Sequence, residues 1–169
     1  MKWTTIVFIF LLTSFAVAQE PVSPPARTSV TINGKKLTIA YSSPSIRGRK
    51  IMGGLVPYGN WWRTGADNAT TFQTDADLDL GGLRVPKGTY TIYTLPGASD
   101  WQLIINKQTG QWGTEYDQRQ DLGRVKMNLT QTPALVDSFK IELSSNGGNK
   151  GLLKMAWERT AVSLPFTAQ

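Results

Sequence analysis

The chain has no cysteine and no histidine in 169 residues, and these two absences narrow its chemistry more than any motif widens it. Without cysteine there is no disulfide, no acyl anchor and no thiolate nucleophile, so stability must come from packing and hydrogen bonding. Without histidine there is no Ser-His-Asp triad, and the two absences together remove histidine and thiolate zinc sites. Also missing are the phosphate-loop pattern G-x-x-x-x-G-K-[ST] and a strand-turn-helix G-x-G-x-x-G, which leaves nucleotide chemistry unsupported. No cofactor and no metal are expected. After residue 17 no long apolar run follows, so no membrane span is expected once the leader is gone.

What is present begins with that leader. Met1 to Ala18 has a positive start at Lys2, an apolar run from Ile6 to Leu12 that continues loosely to Val17, and Ala16-Val17-Ala18 as a cleavage signal. Removal of 18 residues leaves 151, enough for one domain with its own core. Losing Lys2 takes the cations from 18 to 17 against 12 acidic residues, a net charge of +5. Such a balance favours anionic partners, or serves solubility alone. Export makes nucleic acid a poor partner and places the protein in the periplasm or outside the cell, where anionic glycan, phosphate or a surface polymer is available. Gln19 to Arg27, with three prolines and no periodicity, reads as an extended tether. The folded domain is expected over 28–169.

Within it the hydrophobic period is two. Ser29 to Asn33 and Leu37 to Tyr41 flank Asn33-Gly34, the preferred pair for a two-residue hairpin turn. Further strands are expected at Thr70 to Thr74, Asp77 to Leu80, Thr89 to Leu95, Trp101 to Asn106, Leu122 to Thr130, Ser138 to Leu143, Leu152 to Glu158 and Ala161 to Phe166. Val125, Met127 and Leu129 alternate with Arg124, Lys126, Asn128 and Thr130, so one face is wet. Phe139, Ile141, Leu143 and Leu153, Met155, Trp157 repeat the pattern as core. The expected class is all-β: an antiparallel, jelly-roll-like sandwich with little or no helix. Pro165 predicts an edge position for the last strand, since proline cannot donate to a ladder.

The stretch Arg47 to Phe72 departs from this pattern, with two adjacent tryptophans, four cations and five glycines. Arg47, Arg49, Lys50 and Arg63 form a candidate anion patch, because guanidinium forks match carboxylate or phosphate. Trp61, Trp62, Trp101 and Trp112, with Tyr58, Tyr93 and Tyr116, lie in or beside loops, where flat apolar faces and polar tips suit sugar rings or peptides. The competing reading is structural. One indole of Trp61-Trp62 plugs the end of the sandwich, and Trp101 alternates with Leu103 and Ile105 as core. Carboxylates permit a glycoside-hydrolase-like alternative, with Asp67, Glu115 or Asp117 as acid and base facing each other. Asp75, Asp77 and Asp79 resemble the start of a calcium loop, but Leu80 and Pro86 stand where glycine and glutamate are needed, which leaves a solvated strand face.

Gly53-Gly54-Leu55-Val56-Pro57-Tyr58-Gly59, then Trp62-Arg63-Thr64-Gly65-Ala66, Pro86-Lys87-Gly88-Thr89-Tyr90, Trp101 to Asn106 and Trp157-Glu158-Arg159-Thr160 to Pro165 together resemble domain of unknown function 2911, a family of exported bacterial proteins. The likeness covers nearly all of the chain after the leader. It implies export and a compact β domain, and supplies no mechanism. In that family an Asn commonly stands at the place of Asp67, which weakens Asp67 as a catalytic acid. The reading favoured at this level is a non-enzymatic domain binding a polar ligand, carbohydrate or another envelope-associated molecule. Arg49, Tyr58, Trp62, Arg63, Asp67, Trp112 and Tyr116 are its candidate ligand-binding residues. A purely structural domain is the remaining alternative, and no oligomeric state is implied.

Overall fold

The computed structural model describes residues 22–169; the expected leader and the first three residues of the expected tether lie outside them. Nine strands follow in order among the described residues: β1 (Pro25–Ile32), β2 (Lys35–Ser42), β3 (Thr71–Thr74), β4 (Leu78–Leu80), β5 (Leu83–Val85), β6 (Gly88–Pro96), β7 (Trp101–Asn106), β8 (Asp121–Ser145) and β9 (Lys150–Ala168). One 3-10 turn, Gln118–Gln120, precedes β8. Every pairing between these strands is antiparallel, in the order β1-β2-β3-β6-β7-β8-β9-β4-β5. The expected all-β antiparallel class is what forms.

Asn33 and Gly34 both take positive φ, 49° and 73°, and Ile32 pairs with Lys35 across them. This is the two-residue turn whose twist matches the flanking strands. The tether is shorter than the sequence suggests. Pro25, Ala26 and Arg27 already pair with Ser42, Tyr41 and Ala40, because proline as the first residue of a strand need donate nothing.

The last four expected strands are two long ones. β8 runs through the expected gap at 131–137, where its pairing with β9 shifts register twice. β9 runs through its own expected gap at 159–160, and Glu158 just before it takes φ 55°. The interruptions are irregularities inside continuous strands, register shifts in β8 and a positive-φ residue in β9, not turns between separate strands. Ile39, Phe72, Ile92 and Leu103 of β2, β3, β6 and β7 enclose a common interior with Leu143 of β8 and with Leu153 and Phe166 of β9. Each such buried side chain contributes about 1.5–3 kcal/mol relative to exposure. Pro165 is not on an edge strand. It lies in the gap of β9 between its pairing with β8, which ends at Ser163, and its pairing with β4, which begins at Thr167. No ladder needs its missing N–H there.

Backbone and side chain also tie the second half of β8 to β1 and β2. Leu143 N donates to Thr28 Oγ1 at 3.1 Å, Ile141 N to the Tyr41 hydroxyl at 3.0 Å, and Phe139 N to Pro44 O at 2.9 Å. Asp77 and Asp79 are turn acceptors: Asp77 receives Lys87 N at 2.8 Å and Asp79 receives Gly82 N at 2.6 Å. Among the described residues no helix is long and apolar enough to cross a membrane.

Candidate functional site

Between β2 and β3 the chain leaves the sheet for 28 residues and returns along the open end of the core. Trp62 fixes this excursion. Its backbone exchanges two hydrogen bonds with Thr94 of β6, Trp62 N to Thr94 O at 2.7 Å and Thr94 N to Trp62 O at 3.0 Å. Its indole stacks on Trp157 with centroids 5.7 Å apart and meets Phe139 edge-on at 4.8 Å. One tryptophan of the pair therefore closes the core, as the structural reading expected. Its neighbour turns outward. Trp61 is 39% exposed and rests edge-on against Tyr93 at 5.6 Å and tilted against Tyr116 at 4.9 Å.

The turn after Trp62 is held in an uncommon conformation. Thr64, fully buried, has φ 55°, and Asp67 has φ 56°. For a β-branched residue this is an outlier of about 1–3 kcal/mol. Three contacts secure it: Thr64 Oγ1 lies 3.1 Å from Trp62 O and from the Thr94 hydroxyl, and Thr70 Oγ1 donates to Thr64 O at 2.8 Å. The second loop, between β7 and β8, is anchored by fully buried Asn106, whose amide donates to Asp117 O and Asp121 Oδ1, both at 2.9 Å. It reaches the first loop at Gly113, whose N–H donates to Asp67 O at 2.9 Å. A Cβ on Gly113 would lie 2.5 Å from that oxygen and 2.7 Å from Arg63 Cδ. Only glycine allows so close an approach, and it presses on the Arg63 stem.

The result is an open cleft of about 450 Å³, walled by Trp61, Trp62, Arg63 and Asp67, with Arg49, Leu55, Pro57 and Thr114 around them. Arg49 gives two of its five N–H groups to the loop, Nε to Ile46 O at 3.0 Å and Nη2 to Ser45 O at 2.7 Å. Arg63 and the Asp67 carboxylate pair neither with each other nor with another side chain among the described residues, whose ion pairs are Arg84–Asp77, Arg119–Asp117 and Arg124–Asp121. Half-exposed Leu55 and outward-facing Trp61 make part of the rim apolar.

Four of the seven candidate residues, Arg49, Trp62, Arg63 and Asp67, come together here. Three do not. Tyr58 covers Gly53, where a Cβ would touch its ring at 2.9 Å. Trp112 is 46% exposed, and it is its backbone that bridges to Asn68. Tyr116 stands behind Trp61, donating to Asp121 Oδ2 at 2.7 Å and accepting from Arg124 Nη2 at 2.9 Å. Burial and the neighbouring Asp121 push its phenol up to about 12. It buttresses the platform and does not line the cleft. Gly113 and Thr114 went unnoticed at the sequence level; a glycine next to Trp112 carried the only signal.

The facing carboxylate pair of the hydrolase alternative is not formed in this cleft. Asp67 is the single carboxylate of its lining among the described residues. Glu115 is exposed outside it, and Asp117 is gripped by Arg119 at 2.9 Å through both oxygens, which holds its carboxyl below the usual range.

No curated protein and no solved structure is significantly similar to the chain. A family described as Protein of unknown function (DUF2911) matches residues 23–166, which take in both cleft loops and all of the β domain's strands but for the last two residues of the final one. The chain belongs to the DUF2911 family.

Proposed function

We propose that this is an exported binding domain whose cleft takes a polar ligand of the carbohydrate class. The observation that carries the reading is the convergence of an exposed indole, an unpaired guanidinium and an unpaired carboxylate in one open cleft. Its volume falls within the range of about 300–1,000 Å³ usual for small-molecule sites. Sugar rings offer apolar C–H faces to an indole and hydroxyls to charged side chains, so both kinds of lining are used at once. Export rests on the leader-like first 18 residues.

A glycan array followed by thermal-shift titration of residues 19–169 tests the reading. A ligand at about 100 times its Kd should stabilise the fold by about 2.7 kcal/mol, raising the unfolding midpoint by roughly 5–10 °C. Trp61→Ala and Arg63→Ala should abolish the shift while keeping the native circular dichroism spectrum. A shift that survives both substitutions, or an array without any hit, would overturn it.

A further inference from the structure

We propose that the cleft selects acidic saccharides, with a sugar carboxylate on Arg63 and ring hydroxyls on Asp67. This deepens the carbohydrate reading above and rests on it. The charged lining consists of two guanidinium groups and one carboxylate among the described residues, so a neutral sugar would leave a net positive charge unanswered.

Arg63 carries the argument. Its side chain is half-buried, its stem is packed by Gly113, and its head has no acceptor among the described residues. A guanidinium positioned in this way presents a fork that fits a carboxylate through two parallel hydrogen bonds. Arg49 is less available because two of its N–H groups are used by the loop. It adds positive charge to the lining, with N–H groups that the loop does not use.

Asp67 sets the rest of the ligand's chemistry. An ionised carboxylate only accepts, so it requires donors, and sugar hydroxyls are donors. The same carboxylate opposes a compact multiply charged anion such as a polyphosphate, which would bring negative charge against it. A ring with a carboxylate at one edge and hydroxyls at another keeps the two demands apart, and its apolar face is left for Trp61.

The test measures binding of oligosaccharides containing hexuronic or sialic acid beside their carboxyl-reduced counterparts, with inorganic phosphate and sulfate as plain anions. Acidic forms should bind at least about tenfold tighter than reduced forms, the discrimination that a charged hydrogen bond supplies. The preference should weaken as ionic strength rises from about 0.01 to about 1 M, which shortens the screening length from roughly 30 to 3 Å. Arg63→Ala should bring the acidic sugar down to the level of the reduced one. Arg63→Lys should keep the salt dependence and lose affinity several-fold. Equal binding of acidic and reduced sugars would overturn the acid selectivity and leave the carbohydrate reading standing. Competition by phosphate or sulfate at the same concentration as the acidic sugar would also overturn it, by making this a simple anion site. If no acidic or reduced sugar binds, the inference fails, and the independent array shows whether the broader reading falls with it.

Discussion

Trp62 stacks on Trp157 and abuts Phe139, so Trp62→Ala would open a void at the end of the core. We expect a loss of about 3 kcal/mol, seen as a midpoint roughly 6–12 °C lower in thermal unfolding. Trp61→Ala removes the ring contacts to Tyr93 and Tyr116 of an outward-facing side chain, and should cost about 1 kcal/mol. Equal losses for the two variants would contradict this division of labour. Behind Trp61, the Tyr116 phenol is raised to about 12 from an ordinary value of 10. Its contribution to stability is therefore complete below pH 10 and lost as pH rises through about 12. An absorbance titration should show a phenolate step near pH 12 that Tyr116→Phe removes; if the step lost in that variant lies at the ordinary value instead, the buttress is refuted. At this scale the sequence was partly legible. Adjacent indoles, glycines and arginines announced a shaped loop, because no strand period accommodates them. Which indole faced out was not readable, since that depends on Trp157 and Phe139, about 80 to 95 positions away along the chain.

The strands themselves were written in the alternation of apolar and polar residues, and the first turn in Asn33-Gly34. β5 was missed because it has three residues immediately after Gly81-Gly82, too few to show a period. The two long strands were misread as four because a bend interrupts the alternation in the same way that a turn does. One of these bends has a further task. The Glu158 carboxylate accepts from Ile51 N at 3.4 Å and Met52 N at 3.3 Å, joining β9 to the loop that carries Arg49 and Leu55. Glu158→Ala should leave both amides without that acceptor, at about 1–3 kcal/mol. Hydrogen exchange at Ile51 and Met52 should then accelerate more than exchange in β6 or β7. Unchanged protection at those two amides would show that the loop is held by other contacts.

Across the whole molecule, β8 pairs with β7 through its first part and with β9 along most of its length, so the two layers share a strand and neither can separate without breaking it. Unfolding in urea should accordingly be one cooperative transition, with tryptophan fluorescence and far-ultraviolet circular dichroism coinciding. Two displaced midpoints would mean that the layers melt independently. Adding reductant should change nothing, since the chain has no cysteine. The cleft lies where loops from between β2 and β3 and from between β7 and β8 meet, a convergence set by strand order and therefore hidden in the linear chain.

Glu158 also tethers the loop at the cleft mouth directly to the sandwich. The residue that sets the bend in β9 grips the loop above the opening, and its neighbour Trp157 forms part of the cleft's inner wall. A guest that draws the Arg49 loop inward would therefore pull on β9 at Glu158, beside the cleft's own inner wall.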